Sequence, residues 1–561
     1  MESVRKNKKP SGPLGHGGFG ERRYVALAYT RRSRVLLQDF TVLTVTRPVA
    51  MSTSSVNRRW RAARVTVASV TLADTPISRL ESFLTDSSMT RYVDTVVMRT
   101  VDGFRAASAN GAVDFREAPD GSIEILAESG DHPLRNQALD QGIGTEAEIA
   151  VEEASLGELA TPLAYESIVQ YFDAEHAPDA AVMWSPQQMF HDCVGNHGSL
   201  GGIQARAPFI AAGPGIRPRG IVPEHLRTVD VAPTIAALLG IPAGDGVDGR
   251  GRVRSGARLA MQDGDEITDL LDPDERPDHV VVFLWDGVNP NALHDAVDRG
   301  EAPGIASLIE RGTSYRHGCI SALPTATLAN HTTQCTGVFP GRSGVLHNTW
   351  YDRNRGVHVD LLDYHQMIRA RDHLAPGVET IHEALKRHEP GAFTATTYEY
   401  GDRGADYSTY AQMTTNGPIP TLSDADRRLH RTEDFMGVKE FRNASIYDAH
   451  SRNEALHVWR GEFGALPRYS WFTFNLTDAC GHAGGPHSEI LRAAIRDTDA
   501  RMRDVLAEIE FAGKLDRTAV IVLADHGMQR FAIAEPFDLA GALRDAGIDA
   551  ILNDDQYVYL R

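Results

Sequence analysis

The chain has 561 residues, 42% of them apolar and 24% charged, the balance of a soluble globular protein with room for one large domain or several ordinary ones. A formal charge of −18 repels phosphate backbones and anionic lipid, which argues against a nucleic-acid polymer or a membrane surface as partner; small phosphorylated ligands stay open, because bound cations reverse the local field. No run of eighteen apolar residues exists to span a bilayer, and Cys193, Cys319, Cys335 and Cys480 are too few for a disulfide framework, so the expected location is the cytoplasm.

Residues 1–60 carry many Lys and Arg among scattered Gly and Ser without a sustained period, the pattern of a basic, mobile extension. They lack the continuous apolar core and small-residue cleavage site of a secretion signal. From Tyr92 the segments YVDTVVMRTV, GAVDFREA and SIEILAE read as short strands parted by turns. AYESIVQYFDA and VDVAPTIAALLGI have helical spacing, and DAAVMWSP and RAPFIAAGPG read as strands. Residues 244–278, rich in Gly, Asp and Arg, read as a linker or surface crossover. Beyond it strands alternate with helical stretches such as APGIASLIERG, SEILRAAIRDTDARMRDVLAEIE and PFDLAGALRDAG. The class expected is α/β, a mostly parallel sheet sandwiched between helices.

Three strand-like runs end on acid and imidazole: HVVVFLW at Asp286, YSWFTFNL near Asp478 and His482, and TAVIVLA at Asp525 and His526. In an open parallel sheet, active sites gather beyond the carboxyl ends of the strands. Any one of these could be a helix cap beside a solvated histidine; the three together place oxygen and imidazole ligands where Zn, Mn or Fe would accept them. Cys193 and Cys480 lie within four residues of candidate ligands, but burial as small apolar side chains is the role expected of them. Between the first and second runs, Pro324 and Thr325 precede Thr327, where a helix is expected to begin. A threonine there sets its hydroxyl, free N–H groups and the positive end of the helix dipole at one point, a phosphate site unless it is a plain N-cap.

The order Asp286, PTATLANH, GVLHN, DACGHAGGP, ADHGM resembles the nucleotide pyrophosphatase/phosphodiesterase branch of the alkaline phosphatase superfamily, from about Asp278 to the C-terminus. The resemblance implies an alkaline-phosphatase-like fold, with two divalent metal ions, zinc above manganese or iron. Asp286, Thr327, Asp525 and His526 would surround one metal, and Asp478 and His482 would hold the other. The family supplies a further histidine downstream, whereas here no histidine follows His526. NHGSLGGIQARAPFIAAGPGIRPRG resembles the family's C-terminal segment, with His197 in the ligand position. The chain order is therefore expected to be permuted: 61–243 as the family's C-terminal part, 244–278 as linker and 279–561 as its N-terminal catalytic part, the two segments forming one composite domain. Completion of each half by another chain is the alternative, and His191, His347 and His487 are rival ligands outside any matching motif.

By the same resemblance Thr327 is the nucleophile of a double displacement and Asn348 a phosphate contact. Trp350 and Tyr351 could stack a base, with loop packing the role preferred, and His331 and Asp352 read as structural. A phosphomonoesterase calls for an arginine clamp, for which Arg342 and Arg403 are the candidates, and a sulfatase for a Cys or Ser followed by x-Pro-x-Arg, which is absent. Leu328 and Ala329 stand where the family has an aromatic residue and proline, changes that bear on substrate preference. The expected activity is hydrolysis of phosphodiester or nucleotide pyrophosphate bonds in a small phosphorylated substrate, with a phosphomonoesterase, a phosphonate hydrolase or a non-catalytic metal-binding relative as the alternatives.

Overall fold

Apolar runs from both halves of the chain meet in one eight-stranded sheet, whose order is Tyr407–Ser408, Thr394–Thr397, Tyr469–Phe474, His279–Trp285, Thr518–Leu523, Phe209–Ala212, Gly312–Tyr315, Gly220–Val222. The computed structural model describes residues 75–139, 144–149, 160–185, 193–418, 433–531, 537–554 and 556–561. The extension expected over residues 1–60 and the rival ligand His191 lie outside them.

Phe209–Ala212 runs antiparallel to both of its neighbours, and every other pairing in the sheet is parallel. Tyr469–Phe474 and Thr518–Leu523 are buried along their whole length, and in His279–Trp285 only the first residue is partly exposed. That is why these runs are almost uninterrupted apolar and aromatic sequence: both faces are covered. On one face the Tyr469 ring meets His382 of the helix Ile381–His388. On the other, His279 meets Trp459 of the helix Lys439–Trp459. Tyr469 and His279 belong to opposite faces, because Tyr469 pairs in register with Val280, one residue on from His279. The α/β sandwich is therefore as expected.

The N-terminal strands form a second sheet of seven strands, antiparallel throughout, in the order Ala550–Asn553, Tyr557–Leu560, Ala180–Trp184, Val93–Arg99, Phe104–Ser108, Gly111–Glu117, Ile123–Gly130. The last residues of the chain thus pair with a strand laid down nearly four hundred positions earlier. Helices Pro76–Leu84 and Leu539–Asp545 bury Leu80, Phe83, Leu84, Leu539 and Leu543 against it.

Residues 244–278, read from composition as a linker or surface crossover, contain the antiparallel hairpin Gly244–Val247/Val253–Ala257 and bury Leu259, Ile267 and Leu270 in the main core. Its arginines are engaged: Arg258 pairs with Glu266, and Arg254 donates to the Asp263 and Gly264 carbonyls. Scarce apolar periodicity here reflects structure held by ion pairs, not a loose tether.

Candidate metal centre at the sheet's carboxyl edge

Each expected acidic residue stands just beyond the end of a parallel strand. Asp286 follows Trp285, and its N–H donates to the Phe474 carbonyl at 2.9 Å, extending the ladder by one rung. Strand Tyr469–Phe474 leads into the helix Leu476–Gly484, in which Asp478 and His482 are one turn apart and face the same way. Asp525 and His526 follow Thr518–Leu523 and are fully buried. Gly287, at φ 67°, makes the close approach work: a Cβ there would lie 2.6 Å from Asp478 Oδ1.

Thr327 is the first residue of the helix Thr327–Thr336, whose N-cap is Ala326. It is thus not itself the cap, and Ala326 offers no side chain to the first-turn N–H groups. All nine later residues of the helix are buried while Thr327 remains partly exposed. Asn330 pins the approach, its Nδ2 donating to the Ala322 and Pro324 carbonyls and its Oδ1 accepting the Ala322 N–H. Asn348 is close by: its Oδ1 accepts the Leu328 N–H at 2.9 Å. That N–H, expected to meet phosphate, is engaged by Asn348, which leaves the Asn348 amide Nδ2 as the outward donor.

The chain brings His197, from its first half, to the same place. His526 Nε2 is 3.3 Å from Thr327 Oγ1, 3.2 Å from Asp525 Oδ2 and 3.6 Å from Asp286 Oδ1. Asp478 Oδ1 lies 3.3 Å from His482 Nε2 and 3.7 Å from His197 Nε2. The His197 ring stacks on that of His526, centroids 3.6 Å apart. Two groups of atoms close enough to share an ion result: Asp286, Asp525 and His526, and His197, Asp478 and His526. His526 faces both.

Two features fit these residues to cations. Each histidine has Nδ1 on a main-chain carbonyl, His197 on Thr325 (2.8 Å), His482 on Gly195 (2.8 Å) and His526 on Gly527 (2.9 Å). Nδ1–H donation fixes the tautomer and turns each Nε2 lone pair inward, the usual preparation of a metal-binding imidazole. Meanwhile Asp286 Oδ1, Asp478 Oδ1 and Asp525 Oδ2 are buried with no hydrogen-bond partner. Three carboxylate oxygens without donors are a heavy cost unless a cation faces them. Burial, then the Asp525 and Asp478 charges, push the Asp286 carboxyl well above the usual range, and burial with the neighbouring imidazoles holds His197 well below the ordinary histidine value.

A supporting layer lies behind. His331, one turn after Thr327, bonds through Nδ1 to Glu399 Oε2 at 2.8 Å and points Nε2 at Asp525 Oδ2, 3.6 Å away. Both are fully buried. Burial opposes charge on His331, but Glu399 outweighs it and raises the pKa above the ordinary value. Gly401 N–H donates to the other Glu399 oxygen at 3.0 Å. His331 was expected to be merely structural; its four-residue spacing from Thr327 was the available signal, whereas Glu399 had none.

The remaining candidates are held elsewhere. His487 pairs with Glu148, and His347 Nε2 lies 3.9 Å from Asp554. Arg342 is spent on Asp173 and Asp263, and Arg403 on Glu383. Trp350 is buried edge-on to His373 and Tyr351 packs on Tyr559, the loop-packing role preferred for both. Asp352 accepts the Arg355 N–H. All four cysteines are free; Cys319, Cys335 and Cys480 are buried, whereas the partly exposed Cys193 is not elsewhere but lies against His482.

An α/β sheet thus carries acid and imidazole at its carboxyl edge, beside a helix-initiating hydroxyl. The family model for type I phosphodiesterase / nucleotide pyrophosphatase matches residues 280–561, half of the chain, and the chain belongs to that family, in the alkaline phosphatase superfamily. Ectonucleotide pyrophosphatase/phosphodiesterase family member 3 of Mus musculus is 24% identical over 209 residues, which cover 37% of this chain and 20% of that protein. Among solved structures, murine ectonucleotide pyrophosphatase/phosphodiesterase 5 aligns at 17% identity over 44% of this chain and 57% of that one, with a TM-score of 0.30. Phosphonoacetate hydrolase from Sinorhizobium meliloti 1021, in complex with phosphonoformate, aligns at 20% identity over 45% and 57%, with a TM-score of 0.29. The chain thus spans a fifth of the curated relative's length and a little over half of these solved chains.

Proposed function

We propose that the protein is a two-metal hydrolase that cleaves phosphodiester or nucleotide pyrophosphate bonds through a phosphothreonine intermediate. The observation that carries this reading is the set of three inward-turned Nε2 atoms and three partnerless carboxylate oxygens around Thr327 Oγ1. Asp286, Asp525, His526 and Thr327 would hold one ion, and Asp478, His482 and His197 the other. Bound there, two divalent cations, zinc by preference of this mixed nitrogen and carboxylate set, lower the pKa of a hydroxyl and neutralise charge on a phosphoryl group.

Thr327 Oγ1, its proton given up to solvent, attacks phosphorus, the bond to the leaving oxygen breaks, and that oxygen takes a proton from solvent as it leaves. Water then attacks the phosphothreonine, returning the hydroxyl and releasing the second product. Asn348 Nδ2 donates to a non-bridging oxygen throughout, oriented by the Leu328 N–H on its Oδ1. The engagement of Arg342 and Arg403 in ion pairs favours diesters over monoesters, whose extra charge needs a clamp.

The same reading takes the chain as a circular permutation, with 61–243 as the family's C-terminal part, 244–278 as the join and 279–561 as its catalytic part, in one composite domain. Two facts support it: Phe209–Ala212 lies between two strands of the later segment, and His197 reaches Asp478. The substrate would be small and phosphorylated, a nucleotide being the leading class, and the four free cysteines favour the cytoplasm. No described helix is long and apolar enough to cross a membrane.

Turnover of bis(p-nitrophenyl) phosphate, p-nitrophenyl phosphate and a phosphonate by the zinc-reconstituted protein tests the substrate class, with the diester expected to be fastest. Thr327→Ala should lower kcat by about a thousandfold or more, and undiminished turnover removes Thr327 as nucleophile. A monomer holding two ions supports one composite site, whereas ions bound only by an oligomer favour completion between chains.

A further inference from the structure

Asn348 sits at the head of the hairpin Thr349–Asp352/Val357–Asp360, and three residues on that side of the chain are gripped by the C-terminal hairpin Ala550–Asn553/Tyr557–Leu560. Asn553 is buried, and its Nδ2 donates to the Thr349 carbonyl at 3.0 Å and to Thr349 Oγ1 at 2.8 Å. Its Oδ1 bonds His358 Nδ1 at 3.0 Å, on the other strand of the same hairpin. Tyr559 Oη accepts the Tyr351 N–H at 3.4 Å and donates to the His176 carbonyl at 3.1 Å. Asp554 stands 3.9 Å from His347 Nε2.

Thr349 and Tyr351, just after Asn348, are thus held by hydrogen bonds, and His347, just before it, packs edge-on against Tyr557. Asn348 lies in the bend just before the strand, between residues that contact the antiparallel sheet, and its side chain turns to the helix of Thr327, where Oδ1 takes the Leu328 N–H at 2.9 Å. Its main-chain carbonyl is also fixed, by the Leu361 N–H at 3.0 Å. The amide plane of Asn348 is thereby set relative to Thr327, and the setting comes from the last dozen residues of the chain.

We infer that Asn553 is a positioning residue for the phosphate contact: by clamping Thr349 and His358 it fixes the direction of the Asn348 amide, so that the seven-stranded antiparallel sheet forms part of the active site's support. The inference rests on the role proposed above for Asn348. Nδ2 and Oδ1 of Asn553 make three hydrogen bonds, all to the one hairpin, and no smaller or purely apolar side chain can replace them.

The test is a double-mutant cycle on bis(p-nitrophenyl) phosphate hydrolysis by the zinc-loaded protein. Asn553→Ala should lower kcat by about tenfold with KM changed less than about twofold, a loss of the size that misorientation of a contact produces. Metal per chain should be unchanged, and in the Asn348→Ala background the same substitution should cost nothing further. A loss that multiplies in full with Asn348→Ala, or that follows lost metal, overturns the inference. Should Asn553→Ala fold poorly, Thr349→Val removes only the 2.8 Å bond and keeps side-chain shape; it should lower kcat by a smaller factor that likewise vanishes without Asn348, and independence from Asn348 would overturn the inference. Failure of the underlying reading looks different, because Asn348→Ala alone would then leave kcat unchanged.

Discussion

His331 and Glu399 decide how stiffly Asp525 is held. A buried imidazole between two carboxylates orients the one that would meet the ion, and losing such a partner typically weakens metal binding by about 10–100-fold. Glu399→Gln should therefore lower zinc affinity by that factor, read by competition with a coloured chelator, and an unchanged affinity would make the pair structural. A second histidine carries a pH signature. His382 is fully buried with both ring nitrogens unpartnered, and burial depresses its pKa to about 3. Above an unfolded-state pKa of about 6.5 neither state binds the proton; below it the unfolded chain does and the folded one does not, so stability falls as pH drops from about 6.5 towards 3. The loss saturates at several kcal/mol, on the order of 1.4 per pH unit. His382→Leu should flatten the fall in urea unfolding midpoint between pH 7 and pH 5.

The helix that presents Thr327 ends at Gly337, whose left-handed φ of 69° closes the last turn by an N–H to the Thr333 carbonyl. A Cβ there would also meet Pro233 Cδ at 3.1 Å. Gly337→Ala should cost about 1–2 kcal/mol in thermal or urea unfolding and lower kcat more than a surface substitution of equal cost, because the helix start moves with its end. At this scale the sequence was most informative for the strands ending at Asp286, Asp478 and Asp525. Parallel strands buried on both faces must be unbroken apolar runs, and their exits must be polar, so the transition shows in one line of sequence. His197 could be placed only by resemblance, since nothing local in NHGSLGG distinguishes a ligand from a loop histidine. Glu399 was invisible because its partner is 68 residues away, and burial of a carboxylate has no local pattern. The hairpin in 244–278 was missed for the reverse reason: charged residues satisfied by one another look like solvated linker.

Across the described residues, early and late segments are joined in two sheets. The seven-stranded sheet joins residues 93–184 to 550–560, and the eight-stranded sheet sets Phe209–Ala212 between Thr518–Leu523 and Gly312–Tyr315. That the N-terminal strands exist was legible from short runs parted by turns; that the C-terminal strands complete their sheet was not, because antiparallel pairing over such a distance leaves no local trace. Residues 279–561, nearly the span of the family match, thus lack two strands of the large sheet and one imidazole of the site. Expressed alone this part should aggregate, and co-expressed with residues 75–278 it should form a soluble 1:1 pair that binds zinc, as mass and metal analysis would show. Soluble, zinc-binding 279–561 on its own would contradict the arrangement.

The reversed strand Phe209–Ala212 sets a timing problem for synthesis. It emerges from the ribosome with neither neighbour made: Gly312–Tyr315 comes about a hundred residues later and Thr518–Leu523 about three hundred, a wait of roughly 15–60 s at ordinary elongation rates. Through that interval at least the edge meant for Thr518–Leu523 is open to other nascent chains, so the amount of protein a cell recovers should follow how well that stretch is shielded until the final strands arrive.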